Sequence, residues 1–193
     1  MKHQPPPLPP GSSPRDPSTH YPSAPPAQPV NRHTLAVIVD NEPGVLARIA
    51  GLFSGRGYNI ESLTVSETEH EAHISRITVV TSGTASVIDQ IKAHLDRLVP
   101  VHRVVDLTVQ GEAIERELCL VTVSGSGDTR TESLRLASAF GARTLDATLT
   151  SFVFELTGTT DEIERFIRLM AVLGLVEVSR TGIAAISRGA DGM

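Results

Sequence analysis

The sequence predicts an α+β protein of two β-α-β-β-α-β modules behind a disordered, proline-rich tail. Three observations predict it. Eleven of the 13 prolines in this 193-residue chain precede residue 30, so the first thirty residues and the remainder are physically different polymers. Beyond them, dense apolar runs of strand and helix period alternate between turn residues. The order of those runs then occurs a second time.

The leading stretch, MKHQPPPLPPGSSPRDPSTHYPSAPPAQPV, cannot bury enough apolar surface to offset the entropy of ordering it. Disorder with polyproline II character is expected over residues 1–32. Pro5 to Pro10 (PPPLPP) has the form of a groove ligand, but tails of this kind are more often spacers. It contains no apolar run of the kind a secretory signal needs.

The first module is expected over residues 33–110. Leu35 to Val39 is a short β-branched-rich run suited to a strand covered on its core face. Asn41-Glu42-Pro43-Gly44 ends it, with Asn41 as a helix N-cap and Pro43 in the first turn, where its missing N–H has no partner to lose. Val45, Leu46, Ile49, Leu52 and Phe53 then recur at helical spacing until Gly55-Arg56-Gly57 supplies a left-handed stop. Tyr58 to Val65 and Ile74 to Thr81 read as strands around the polar loop Glu67 to Glu71. Thr84 opens a second helix, carried by Val87, Ile88, Ile91, Leu95 and Leu98 and ended near Pro100. Val101 to Val109 closes the unit in the ferredoxin-like order, an antiparallel sheet with both helices on one face.

Residues 111–188 repeat that order after a join near Gly111-Glu112. Leu118 to Val123 reads as a strand, Thr129 to Phe140 as a helix, and Arg143 to Thr148 and Phe152 to Thr157 as a strand pair. Thr160 to Leu173 reads as a helix and Val176 to Ile186 as the last strand, with Arg188 to Met193 frayed. Thr129 with Glu132 has capping-box spacing, which Thr160 with Ile163 lacks.

Composition excludes several functions. No stretch approaches the roughly 20 apolar residues of a membrane-spanning helix. Beyond Arg32 there are 14 Lys and Arg against 21 Asp and Glu, a balance adverse to binding a phosphate backbone. Cys119 is the only cysteine, so neither an internal disulfide nor a multi-thiolate metal site is available, and a reducing cytoplasm fits.

Catalytic signals are weak throughout. Gly125-Ser126-Gly127-Asp128-Thr129 lacks the Gly-Lys-Ser/Thr ending of a phosphate loop and the third glycine of a dinucleotide fingerprint. His70 and His73, among Glu67, Glu69 and Glu71, read as a solvated loop rather than a metal cluster. Cys119 has no histidine beside it to lower its pKa, and Ser62, Ser66, Ser124 and Ser151 lack a nucleophile elbow. Glu115 and Glu117 are explained by a wet strand face, and Asp161 and Glu162 by a helix start. Ile74 to Val80 carries none of the stacking aromatics of an RNA-binding module.

What remains is the turn Asp40-Asn41-Glu42-Pro43-Gly44-Val45-Leu46. Helix N-terminal N–H groups, a glycine permitting close approach and an amide that both donates and accepts suit the carboxylate and ammonium of a free amino acid. A capped helix start with no ligand accounts for the same residues equally well.

At this turn the chain resembles an ACT domain, whose signature is an acidic residue or Asn, then Gly, then Leu. Val39 to Val65 (VDNEPGVLARIAGLFSGRGYNIESLTV) resembles more closely the small regulatory subunit of acetolactate synthase (acetohydroxyacid synthase). SRITVV (Ser75 to Val80), the V-x-R-V of Val101 to Val104, ERELCLV (Glu115 to Val121) and VEVSRTGIAAISRG (Val176 to Gly189) extend the likeness. It runs from about Arg32 to Gly189, the tail alone lying outside it, and departs from the family only in Pro43 and in the tail itself.

The resemblance implies a cytoplasmic protein without catalytic residues or a cofactor of its own. Its implied partner is a large catalytic subunit carrying thiamine diphosphate, Mg and FAD, which it activates and places under feedback inhibition by valine in branched-chain amino-acid biosynthesis. It further implies a homodimer through the ACT sheets, with no nucleic-acid or membrane partner. Asn41 and Gly44 would hold the effector's charged groups, Val45 and Leu46 would give an apolar wall, and Asn59 and Ile60 from the start of the partner's second strand would close the pocket. The alternatives are a free-standing ACT-type sensor acting on another enzyme or on transcription, and an enzyme in its own right.

Overall fold

The computed structural model describes residues 28–109 and 113–189. The expected tail up to residue 27, the join at Gly111-Glu112 and the last residues from 190 lie outside the described residues.

The first unit runs β1 (Asn31–Asp40), α1 (Val45–Arg56), β2 (Ser62–Glu69), β3 (Ile74–Gly83), α2 (Ala85–Leu95) and β4 (Val101–Asp106). The second runs β5 (Ile114–Ser124), α3 (Gly127–Ala139), β6 (Arg143–Ala147), β7 (Ser151–Gly158), α4 (Thr160–Val172) and β8 (Leu175–Ile186). Each forms a four-stranded antiparallel sheet, ordered β2-β3-β1-β4 and β6-β7-β5-β8. The two ferredoxin-like modules expected from the repeated pattern are therefore present.

Each module has its own core between sheet and helices. In the first, Leu35, Val37 and Val39 of β1 meet Ile49 and Phe53 of α1 and Ile88, Ile91 and Leu95 of α2. In the second, Cys119, Val121 and Val123 of β5 and Phe154 of β7 meet Phe166 and Met170 of α4. Cys119 is fully buried, and loss of solvent pushes its thiol pKa up, as an inert packing residue requires.

Several details differ from expectation, β2 among them, since it begins at Ser62 rather than Tyr58 and runs through Glu67 to Glu69. β1 is covered on both faces, not one, because Ala36 on the helix-free side packs with Val80, Val105 and Leu107 against Ile183 and Ala185 of β8. Two residues assigned to the tail, Asn31 and Arg32, extend β1 by pairing with Gly83 and Ser82. The capping box lies at Thr159 and Glu162, not at Thr129 and Glu132. Thr129 is already inside α3, where its hydroxyl donates to the Ser126 carbonyl.

At the real box the Thr159 backbone N–H donates to Glu162 at 2.8 Å, and Glu162 N–H donates to the Thr159 hydroxyl at 3.3 Å. The Thr159 backbone and side chain together hold the Glu162 carboxyl below its ordinary range. Thr159→Ala is expected to cost about 1 kcal/mol near neutrality, the usual loss for an N-cap. Glu162 is favoured ionised in the folded state, so its share of the cap is present above the ordinary carboxylate range and fades as pH falls through the lowered value. Melting curves of the variant and parent should therefore draw closer in acid, with the share of the Glu162 N–H to Thr159 hydroxyl bond remaining.

The modules meet along a seam built by the far end of β8. Ile183 N–H donates to Ser62 Oγ at 2.9 Å, and Arg76 Nη2 donates to the Ala185 carbonyl at 2.7 Å. β8 crosses β2 at Gly182, whose φ is 81° and where a Cβ would stand 2.7 Å from Ser62 Oγ. Thr34 Oγ1 donates to Glu115 Oε1 across the same seam.

Candidate functional site

The turn between β1 and α1 is set by backbone geometry. Gly44 occupies the N-cap position with φ 91°, a left-handed conformation that disfavours other residues, and α1 begins at Val45. Asn41 is thus not the N-cap, contrary to expectation, because the Pro43-Gly44 step carries the chain through the turn before the helix starts. No side chain caps α1. The first intrahelical bond runs from Arg48 N–H to the Gly44 carbonyl, which leaves the N–H groups of Leu46 and Ala47 without a helical acceptor. A Cβ at Gly44 would meet nothing within 4 Å, so the space over this end is open.

Asn41 is tied instead to the β2–β3 hairpin. Its backbone N–H donates to the His73 carbonyl at 2.6 Å and its side-chain amide to Glu67 Oε1 at 3.2 Å. Glu67 also pairs with His70 at 3.0 Å, and this contact, ahead of the Asn41 one, holds its carboxyl below the ordinary range. The side chain of Asn41 is thereby fixed beside the open helix terminus, its amide oxygen free of this bond. Among the described residues no group of three or more His, Cys, Asp or Glu side chains is placed to hold a metal ion.

The remaining candidates divide. Leu46 is 42% exposed and supplies apolar surface at the turn, whereas Val45 is 4% exposed and belongs to the core. Val45 therefore offers the turn its backbone more than its side chain. Asn59 is exposed and Ile60 half-buried, both just before β2, where the Asn59 carbonyl accepts from Thr81 Oγ1 at 2.6 Å. They lie beyond the C-terminal end of α1. Twelve helical residues separate the two groups by about 18 Å. One chain does not bring Asn41 and Gly44 to Asn59 and Ile60.

Glu117 was hidden from sequence reasoning. It is 3% exposed rather than on a wet face, and Arg180 grips both its oxygens at 2.7 Å. The signal lay in its phase, because Glu117 alternates with Cys119, Val121 and Val123 on the core side of β5.

Residues 35–103 match a family model described as the AHAS small subunit-like ACT domain, and residues 116–189 one described as the small subunit of acetolactate synthase. The chain is 44% identical over 158 residues to the probable acetolactate synthase small subunit of Archaeoglobus fulgidus, covering 82% of this chain and 98% of that protein. It is 43% identical over 159 residues to the acetolactate synthase isozyme 3 small subunit of Salmonella typhimurium, covering 82% and 96%. The crystal structure of the small subunit from Thermotoga maritima superposes with a TM-score of 0.76 at 32% identity, covering 83% of this chain and 99% of that one.

Proposed function

Because the chain belongs to the family of acetolactate synthase small subunits, we propose that it is a regulatory subunit that raises the activity of a thiamine-diphosphate-dependent catalytic subunit and makes it sensitive to valine. The observation that carries this reading is the span of the match, nearly the full length of relatives that are themselves small subunits. A free-standing sensor would leave the likeness of the second module without a purpose.

The effector site in this reading is the β1–α1 turn. A valine carboxylate meets the free N–H groups and positive dipole end of α1, with Gly44 allowing the approach. The ammonium meets the Asn41 amide oxygen and the nearby ionised Glu67. Leu46 from one copy and Ile60 with Asn59 from the other enclose the aliphatic end. β2 lies at a sheet edge, which gives two first-module sheets a place to meet. An aliphatic wall separates ligands differing by one methylene by only about 1–3 kcal/mol, so selectivity among branched-chain amino acids should be graded.

Regulation requires that valine bind one state of the holoenzyme more tightly than the other, since no other source of energy shifts the balance. The direct test is to co-express the chain with the large subunit and assay acetolactate formation. Co-purification, higher activity than the large subunit alone, and loss of that activity with valine are expected. A large subunit indifferent to the chain would overturn the assignment.

A further inference from the structure

A cavity of about 390 Å³ lies where β2 and β3 face the ends of β5 and β8. Its walls include Arg76 and Arg116, the hydroxyls of Thr64 and Thr68, and the aliphatic side chains of Ile114 and Ile186. We propose that this cavity binds a small aliphatic carboxylate lacking an amino group, held by Arg76 and Arg116 between the two modules. The proposal goes beyond the valine reading and does not rest on it.

Charge singles the cavity out. In a chain of net charge −5, two arginines line it and, among the described residues, no carboxylate does. Other arginines of the seam are compensated: Arg180 is held by Glu117, and Arg32 lies between Glu61 and Glu115. Arg76 and Arg116 are in no ion pair among the described residues. Arg76 donates through Nη2 to the Ala185 carbonyl and Arg116 through Nη1 to the Glu115 carbonyl, and both acceptors are neutral, although Arg116 also lies in the field of the Glu162 carboxylate. Arg76 Nε and Thr64 Oγ1 are buried without a hydrogen-bond partner among the described residues. Burial alone pulls the Arg76 pKa down, and no anion opposes it. A desolvated guanidinium of this kind gains most from an incoming carboxylate, whose two oxygens match its fork of donors.

The same walls set the ligand class. An amino acid would bring its ammonium against two guanidiniums with no carboxylate to receive it. A simple or 2-oxo acid carries the anion without that conflict, and Ile114 and Ile186 suit a short aliphatic body. The volume is within the range of small-molecule sites.

Isobutyrate, isobutylamine and inorganic phosphate, titrated into the full chain and followed by ligand-observed NMR, test this. Saturable isobutyrate binding is expected, at least tenfold weaker in Arg76→Gln, with no binding of isobutylamine. Arg76 also latches the seam, so Arg116→Gln, at an exposed residue, serves as the second variant and should weaken binding too. Asn41→Ala should leave isobutyrate binding unchanged, which separates this cavity from the turn. Unsaturable isobutyrate binding, or a folded Arg116→Gln chain that titrates like the parent, would overturn the proposal. Phosphate binding as tight as isobutyrate would make this a general anion site and overturn the carboxylate assignment.

Discussion

Asn41→Ala is expected to raise the valine concentration for half-inhibition of the reconstituted enzyme by tenfold or more, while activation of the large subunit persists. A hydrogen bond to a charged group contributes about 1.5–3 kcal/mol, which corresponds to roughly ten- to a hundredfold in affinity. Asn41 is exposed and its side-chain bond is to exposed Glu67, so its loss should not disturb the core. Asn59→Ala should desensitise as well, although it lies past the far end of α1 from the turn. Mixed dimers give the decisive arrangement. With Asn41→Ala on one chain and Asn59→Ala on the other, a site shared between chains leaves one of two pockets intact and part of the inhibition remains. If inhibition vanished, each pocket would lie within one chain and the two-chain site would be wrong.

Gly182→Ala should produce the largest loss of stability among single substitutions at the seam. Two penalties add there. The residue has φ 81°, and a non-glycine residue in a sparsely populated conformation costs about 1–3 kcal/mol. A new methyl would also stand 2.7 Å from Ser62 Oγ and 3.0 Å from Thr64 Oγ1, and overpacking of this kind costs about 1–3 kcal/mol more. Relief means moving Ser62, which accepts the Ile183 N–H, so the close crossing of β8 over β2 is what gives way. At about 2–4 °C per kcal/mol for a chain of this size, the melting point should fall by several degrees. A Gly182→Ala chain melting with the parent would show that β8 does not cross β2 this closely.

The modules were legible because their signal is local. Apolar residues at strand and helix period, with Gly57 ending α1 and Pro100 preceding β4, specify each element from its own neighbours. The β1–α1 turn was legible for the same reason, since Asn41, Gly44 and Leu46 lie within six residues. Its internal geometry was not. Asn41 reads as a cap by type and position, and only the hairpin contact to Glu67 and His73 shows why it is otherwise engaged.

By itself, then, the sequence determined two β-α-β-β-α-β modules, a cysteine fit only for packing, and a glycine turn at the start of the first helix. Tertiary structure alone decided what joins the modules and which charges are compensated. Arg76 and Ala185 are 109 residues apart, and Glu117 and Arg180 are 63 apart. Contacts at such separations leave no periodicity that names the partner, because phase marks Glu117 as buried without pairing it with Arg180. The physical reason is the range of the forces: hydrophobic period and backbone conformation act between near neighbours in the chain. A buried guanidinium finds its partner, or lacks one, only after two sheets have been laid against each other.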